Sequence, residues 1–306
     1  MSIKRTRCLG FNVSLSGLLS GSLSGGLALS TALLVMGCAS TVAAKPEAAP
    51  AADTCKDPKD CLNKGALAVQ AKDFAKAAKF LPSGCEIEPK ACNIVGELYR
   101  KGDGIPADGA KAADFHKKAC NAGISISCAI EAQLRYTGEG GAVIDKPRAR
   151  ALFEKTCGPE MLDHCALAGL MYASGDGGPA DKVKARTLYD TACGAGEMTG
   201  CVNGGAMYLN GEGGAADKVK AKTYFEKACD QKNADGCFNL GLVYAKGIEV
   251  PVDYEKAVTL LKKGCDAGSK QGCEVAQQIQ DDLAKQKEAA AKAAAPPPKG
   301  KGKGKK

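Results

Sequence analysis

The 306-residue sequence contains no tryptophan, and only 5% of its residues are aromatic. A chain this poor in large rings cannot fill its interior with bulky side chains. It must pack its elements closely or draw stability from another source. Histidine is scarce as well, with only His116 and His164 present. That excludes the clustered histidines of a typical metallohydrolase. Cysteine is plentiful but is never spaced Cys-x-x-Cys, which removes zinc-ribbon, thioredoxin-like and c-type haem readings. These residues imply no metal and no other cofactor.

The formal charge of +8 suggests an acidic partner until it is located. Lys4, Arg5 and Arg7 sit at the start of the chain, and Lys299, Lys301, Lys303, Lys305 and Lys306 at its end, with no acid in either segment. Residues 8–298 therefore carry no net charge, and the basic footprint of a nucleic-acid-binding body is missing.

Behind the N-terminal charges lies an apolar stretch over residues 11–36, interrupted by Ser and Gly. This is the pattern of a secretory leader and is too broken to be a good membrane anchor. Gly37-Cys38 resembles the lipobox of bacterial lipoproteins, in which the cysteine becomes the first mature residue and carries the lipid. The expectation is a signal peptide over 1–37, lipidation at Cys38, and a place in the cell envelope, anchored to the outer membrane and facing periplasm or surface. The alternative is a plain signal peptide cut after an alanine of residues 39–44, giving a secreted protein. Cys8 leaves with the leader in either case. Residues 38–54, rich in Ala and Pro, read as a flexible tether.

Beyond the tether the cysteines keep a beat. Cys120 and Cys128, Cys157 and Cys165, Cys193 and Cys201, Cys229 and Cys237, and Cys265 and Cys273 are each eight apart, and the pairs recur every 36 or 37 residues. Cys85 with Cys92 and Cys55 with Cys61 are tighter versions. Asp73, Asp108, Asp145, Asp181, Asp217 and Asp253 stay in register, each with Ala four residues later. Gly96, Gly169, Gly205 and Gly241 precede Tyr99, Tyr172, Tyr208 and Tyr244 by three. Such self-similarity means stacked supersecondary units, here helix A, a Gly-rich loop and helix B. Each unit is expected to start at its cysteine: Cys61 in the first, short unit, Cys92 in the next, and so on. In the last full unit, helix A is expected over about Cys237 to Lys246, ended by Gly247. Asp253 caps helix B, whose Ala257, Leu260, Leu261 and Gly264 form one face, and Gly268 suits a left-handed turn.

Two residues eight apart in one helix lie about 12 Å apart along its axis, whereas a disulfide needs Cα atoms within about 7 Å. An i, i+8 bond therefore requires a turn, which falls between helix B and the next helix A. The rival pairing, Cys237 with Cys265 across one hairpin, would strand Cys55 and Cys273. Close pairing uses all fourteen cysteines after residue 54, and parity favours it. Structural cystines also require an oxidising compartment, in agreement with the leader.

Units such as CFNLGLVYAKGIEVPVDYEKAVTLLKKGC (237–265) resemble Sel-one-like (Sel1-like) repeats, relatives of the tetratricopeptide repeat. The eight-residue cysteine spacing makes them similar to the secreted cysteine-rich bacterial branch. That likeness covers about residues 85–280 and is weakest at Cys128, where Arg135 stands in the tyrosine register. It implies an all-α, right-handed superhelical solenoid of disulfide-bridged hairpins whose concave face binds a protein or peptide, one related to peptidoglycan included. Residues 55–91 are the expected degenerate N-terminal capping repeat, and 92–280 the repeats with a C-terminal capping helix. Residues 281–306 should be helical and then disordered; their Lys/Gly end suits anionic envelope material.

Some secreted members of this branch carry penicillin-binding or β-lactamase labels. A serine β-lactamase needs Ser-x-x-Lys, and neither that spacing nor Ser-Asp-Asn or Lys-Thr-Gly occurs. His116 takes a register filled elsewhere by Phe153, Tyr189, Phe225 and Leu261, and His164 precedes Cys165, so both read as packed histidines. The Gly-Glu/Asp-Gly-Gly loops at 138, 175 and 211 lack the basic and hydroxyl residues of a phosphate loop and the ligand spacing of a calcium loop. No catalytic residue is assigned. The expectation is a non-enzymatic scaffold, with Tyr99, Tyr172, Tyr208 and Tyr244 on its binding face or, in the same register, packing one repeat on the next.

Overall fold

The computed structural model describes residues 54–294; the leader, Cys38, most of the tether and the Lys/Gly tail lie outside them. The described residues form thirteen α-helices and no strand. A capping hairpin, α1 (Pro58–Gln70) and α2 (Phe74–Gly84), comes first. Five hairpins follow: α3 (Pro89–Lys101) with α4 (Gly109–Asn121), α5 (Ser125–Thr137) with α6 (Lys146–Thr156), α7 (Leu162–Ser174) with α8 (Lys182–Ala195), α9 (Met198–Asn210) with α10 (Lys218–Asp230), and α11 (Ala234–Lys246) with α12 (Tyr254–Asp266). The last helix, α13 (Lys270–Ala294), has no partner after it among the described residues. None of these helices is long and apolar enough to cross a membrane.

The B-helix starts follow the repeated residues. Asp73, Asp108, Asp145, Asp181, Asp217 and Asp253 each cap a B helix, accepting the backbone N–H three residues ahead. Such caps contribute about 1 kcal/mol each. From Asp108 onward the same aspartates donate their own N–H, at 2.8–3.1 Å, to the carbonyl of Tyr99, Arg135, Tyr172, Tyr208 or Tyr244, which closes the A–B loop. The A helices of the five full hairpins end on Gly102, Gly138, Gly175, Gly211 and Gly247, all at φ between 67° and 77°, where a side chain would be strained.

The A-helix starts differ from the expected ones. Each A helix begins three residues before its cysteine rather than at it, so the cysteine is the fourth helical residue. Cys61 is therefore not the first residue of its unit: α1 starts at Pro58, with Asp57 capping it by accepting from Asp60. Nor does the first full repeat open at Cys92, because α3 starts at Pro89 and Glu88 caps it by accepting from Lys90. In both, proline takes the first helical position, where its missing N–H costs nothing and its fixed φ suits the helix. At Cys237 the cause is different. Lys232 turns the chain at φ 60°, and Asn233 caps α11 by accepting from Gly236 at 2.9 Å.

All seven expected cystines are present: Cys55 with Cys61, Cys85 with Cys92, Cys120 with Cys128, Cys157 with Cys165, Cys193 with Cys201, Cys229 with Cys237 and Cys265 with Cys273. Their Cα atoms lie 4.3–5.0 Å apart. Each of the last six ties a B helix to the next A helix. The first instead ties α1, through Cys61, to Cys55 in the segment just before it. The helices of a cystine-linked turn approach closely because small residues flank the bond. A Cβ on Gly200 or Gly236 would collide with Ala192 or Ala228 across the turn.

Within a hairpin, another glycine sets the approach. A Cβ on Gly169 would lie 2.9 Å from the Tyr189 ring, and one on Gly205 2.7 Å from Phe225. Gly96 and Gly241 face His116 and Leu261 in the same way, at 2.7 Å. Each glycine of the Gly-x-x-Tyr register is thus a seat for the buried B-helix side chain twenty residues on. In α13 the seat position holds Gln277, and the position of the terminating glycine holds Leu283. Among the described residues no B helix follows, and α13 runs unbroken past residue 280 for 25 residues.

Stacking also buries the cystines. Cys193, Cys201, Cys229 and Cys237 are at most 1% exposed, whereas Cys273, with no hairpin beyond it, is exposed. Under limiting dithiol followed by alkylation and mass spectrometry, Cys265 and Cys273 should be labelled before the inner pairs, with Cys120, Cys128, Cys193, Cys201, Cys229 and Cys237 last. Uniform labelling of all pairs would contradict this order of accessibility.

Candidate functional site

The repeated tyrosines lie at the joints between hairpins. The Tyr172 hydroxyl donates to Glu154 at 2.5 Å, Lys184 pairs with the same carboxylate at 2.7 Å, and Arg150 and Lys184 each approach the ring to 4.5 Å. One repeat later, Asp190 accepts from Tyr208 at 2.6 Å, from Tyr224 at 2.9 Å and from Lys220 at 3.2 Å, while Arg186 and Lys220 lie 4.0 and 4.1 Å from the Tyr208 ring. Lys256 donates to Tyr244 at 2.8 Å, and Tyr99 stacks on Phe115. At Tyr172 and Tyr208, acid, tyrosine and cation thus form a latch between successive B helices, whereas Lys256 and Phe115 belong to the same hairpins as Tyr244 and Tyr99. Partial burial opposes the Lys220 charge, but its bonds to Tyr208 and Asp190 outweigh it and raise the pKa. Burial, followed by the bond to Asp190, lifts Tyr224 to about 12.

Tyr208 and Tyr244 are only 5% and 9% exposed, and Tyr99 and Tyr172 are half-buried. Tyr172 and Tyr208 bridge hairpins, while Tyr99 stacks and Tyr244 accepts a hydrogen bond within its own hairpin. Little of them remains for a partner, because the ring faces and most of the hydroxyls are engaged internally.

The glycine-rich loops form a second latch. A Cβ on Gly177 would lie 2.5 Å from the Lys146 carbonyl, and Gly213 meets Lys182 in the same way. The loop acids Asp176 and Glu212 pair with the side chains of those lysines at 2.9 Å. The loops therefore brace each hairpin on the preceding one. Where Glu249 replaces this glycine, at φ 55°, a cleft of about 500 Å³ lies between it and Lys218, Val219 and Arg186.

His116 is wholly buried, and neither ring nitrogen has a hydrogen-bond partner; the nearest acid, Glu97, is 3.7 Å away. Burial lowers its pKa to about 4, with Glu97 opposing and Arg100 reinforcing the shift. His164 lies 2.7 Å from the Thr156 hydroxyl, and burial lowers its pKa too. Thr156 and His164 replace the small pair that flanks the cystine in the next two repeats, Ala192/Gly200 and Ala228/Gly236, and here α6 stops at Thr156, leaving residues 157–161 between it and α7. The hydrogen bonds bring no serine to either histidine. Among the described residues, no group of three or more His, Cys, Asp or Glu is placed to hold a metal ion.

One buried ion pair escaped the sequence reading. Glu131 is fully buried and takes a two-pronged bond from Arg148, one arm at 3.0 Å through Nη2. The signal was available: Glu131 stands where other units have Val95, Ala168, Gly204 and Leu240. In this same unit Arg135 replaces the tyrosine and pairs with Asp114 at 2.9 Å, so ion pairs substitute for the tyrosine latch.

Part of the A-helix surface stays open even where its residues, Val202 and Leu209 among them, also pack against the core. Leu170 is 47% exposed on α7, and Val202 and Leu209 on α9, with Phe238 and Leu242 on α11, are half-buried at i, i+4, i+7 positions of one face. Helix α7 touches α9, α9 touches α11 and α11 touches α13, while consecutive B helices approach less. The A helices therefore line the inside of the curve and present one continuous, weakly polar face.

Stacked all-helical hairpins with cystines at every B–A turn and a free inner face define a repeat scaffold. The Sel1 repeat model matches residues 89–124, 132–157, 164–197, 201–233 and 234–269, more than half of the chain, which therefore belongs to the Sel1 repeat family. Two solved structures share the fold. One is a protective antigen of uropathogenic Escherichia coli displaying an SLR fold (TM-score 0.59, 20% identity, covering 70% of this chain and 47% of that one). The other is a Sel1 repeat protein from Oxalobacter formigenes (TM-score 0.59, 22% identity, covering 69% and 87%). The match spans less than half the length of the Escherichia coli protein. No curated protein matches the sequence.

The His116 environment makes a direct prediction. Its pKa in the folded protein, about 4, lies below the ordinary 6.5, so the unfolded chain binds more protons between those values. Stability is then full above about pH 6.5 and falls as the pH drops through that window. His116→Phe, which installs the residue of the Phe153 and Phe225 register, should raise stability by about 1–3 kcal/mol. It should also flatten the fall between pH 6.5 and 5, leaving the share of His164. Thermal unfolding followed by circular dichroism at pH 7.5 and 5.0 reads both effects, and an unchanged pH slope would refute the assignment.

Proposed function

We propose that this Sel1 repeat protein is an exported envelope lipoprotein, carrying lipid on Cys38, whose repeats act as a non-enzymatic scaffold for a protein or peptide partner. The observation that carries the binding role is the continuous A-helix face of α7, α9 and α11. Among the described residues it is a surface running over several repeats that the tyrosine and loop latches leave partly open. Its side chains are aliphatic or aromatic rather than reactive, which suits recognition rather than chemistry. Seven cystines support an oxidising compartment, in line with the leader at the N-terminus. The Lys/Gly tail at 299–306 adds contact with anionic lipid headgroups or other anionic envelope material.

Three measurements test this reading. Metabolic labelling with a fatty acid should mark the wild type and not Cys38→Ala, and on fractionation that variant should shift to the soluble envelope fraction; a labelled variant would contradict lipidation at Cys38. Purified protein should not turn over a chromogenic β-lactam above the buffer rate. Turnover that is lost on substituting His164 and Thr156 would replace the scaffold by the β-lactamase-like hydrolase.

A further inference from the structure

We infer that two copies of this chain pair through α13, each laying the outer half of that helix, antiparallel, in the place that a following B helix would take on the other. Every earlier A helix is covered by the B helix of its own hairpin, and among the described residues none follows α13. The joint it would close is open. Val258 there stands in the register of Arg150 and Arg186, which reach forward to the carbonyls of Pro179 and Ala215 in the next repeat. Gln280 stands in the register of the tyrosines that those arginines cover. At the last joint the charged latch is therefore gone. A groove of about 310 Å³ takes its place, lined by Val258, Leu283 and Ala284 together with Glu255, Gln280 and Lys287.

Helix α13 is also longer than its own stack uses. The A helices α3, α5, α7, α9 and α11 run for 13 residues, and α13 runs for 25. Leu283 is its last half-buried residue, and 284–293 are all exposed. At 1.5 Å per residue this outer half is roughly 16 Å long. Its alanines, among them Ala284, Ala290 and Ala291, allow a second helix to approach closely.

The order of charge along α13 selects the occupant. Up to residue 282 it carries Lys270, Glu274, Asp281 and Asp282, a net acidic set; beyond that it carries Lys285, Lys287, Glu288 and Lys292, a net basic one. Glu274 and Asp281 take the register of Val202 and Leu209, which pack with Ala228 and Phe225 of a B helix, so these acids border the vacant place. Two parallel copies of α13 would set like charge on like. Two antiparallel copies set the basic half of each over the acidic half of the other, twice about a two-fold axis. With the axis at Leu283, Asp281 faces the partner's Lys285 and Glu274 faces the partner's Lys292. Within one copy these groups make only pairs along the helix, Lys285 with Asp282 at 3.5 Å and Lys292 with Glu288 at 2.6 Å, and exposed pairs of this kind contribute little. A helix that merely shielded the end of the stack would need polar residues, but neither the order of sign nor the added length. The groove uses α12 and α13 alone, so the face of α7, α9 and α11 stays open in each copy.

The test uses the oxidised Cys38→Ala protein, which carries no lipid, in sedimentation velocity. At low salt it should form a concentration-dependent dimer that weakens as salt is added. Lys285→Glu with Lys287→Glu and Lys292→Glu should raise the dissociation constant at least tenfold, and so should Glu274→Lys with Asp281→Lys and Asp282→Lys. Mixed in equal amounts, the two triple variants should recover a heterodimer at least tenfold tighter than either forms alone, because each supplies the charge the other lacks. All six positions are exposed, and circular dichroism confirms folding of each variant. A protein that stays monomeric at the highest concentration it tolerates would overturn the inference. So would a dimer that neither triple variant weakens, which would lie on another face, or two weakened variants whose mixture recovers nothing.

Discussion

Every part of this molecule is arranged around one constraint: a bond between cysteines eight residues apart can close only if the chain reverses between them. The reversal fixes where each B helix must end and the next A helix begin. It brings two helix ends to within 4.3–4.8 Å at the cystines that join hairpins, closer than ordinary side chains permit. That approach is why alanine and glycine flank the bonds, as at Ala192/Gly200 and Ala228/Gly236. Rings of this size stabilise by about 2–3 kcal/mol each on the loop-entropy account. A chain without tryptophan gains in its turns what its thin core does not provide.

Glycine performs the complementary task inside each hairpin. By seating Tyr189, Phe225 and Leu261 against bare helix backbone, Gly169, Gly205 and Gly241 let a few large side chains fill the interior. The tyrosine–acid–cation and loop–lysine latches then join hairpin to hairpin. Among the described residues the stack ends with α13, where Gln277 stands in the seat position.

The hairpins, the cystine pairing, the aspartate caps and the glycine stops were legible in the sequence, because each depends on residues a few positions apart and recurs at a fixed period. The A-helix starts were less so. Cys61, Cys92 and Cys237 recur conspicuously and draw the boundary to themselves, but the residues that open the helices, Asp57 with Pro58, Glu88 with Pro89, and Lys232 with Asn233, change type from unit to unit. What could not be read at all depends on contacts between units. The tyrosines carry the same register whether they face a ligand or a neighbouring repeat, and only the positions of Glu154, Asp190 and the lysines show that they pack. Glu131 with Arg148, seventeen residues apart, interrupts an otherwise apolar register and becomes intelligible only once the two helices are side by side.

The central claim is that the cystines, rather than the core alone, hold this fold together. The measurement that reaches it most directly is thermal unfolding of the mature protein, oxidised and then fully reduced and alkylated, in the same buffer. The account predicts a cooperative transition in the oxidised protein and a reduced form that has lost most of its helical signal by 37 °C. A reduced protein that unfolds cooperatively at nearly the oxidised midpoint would contradict it.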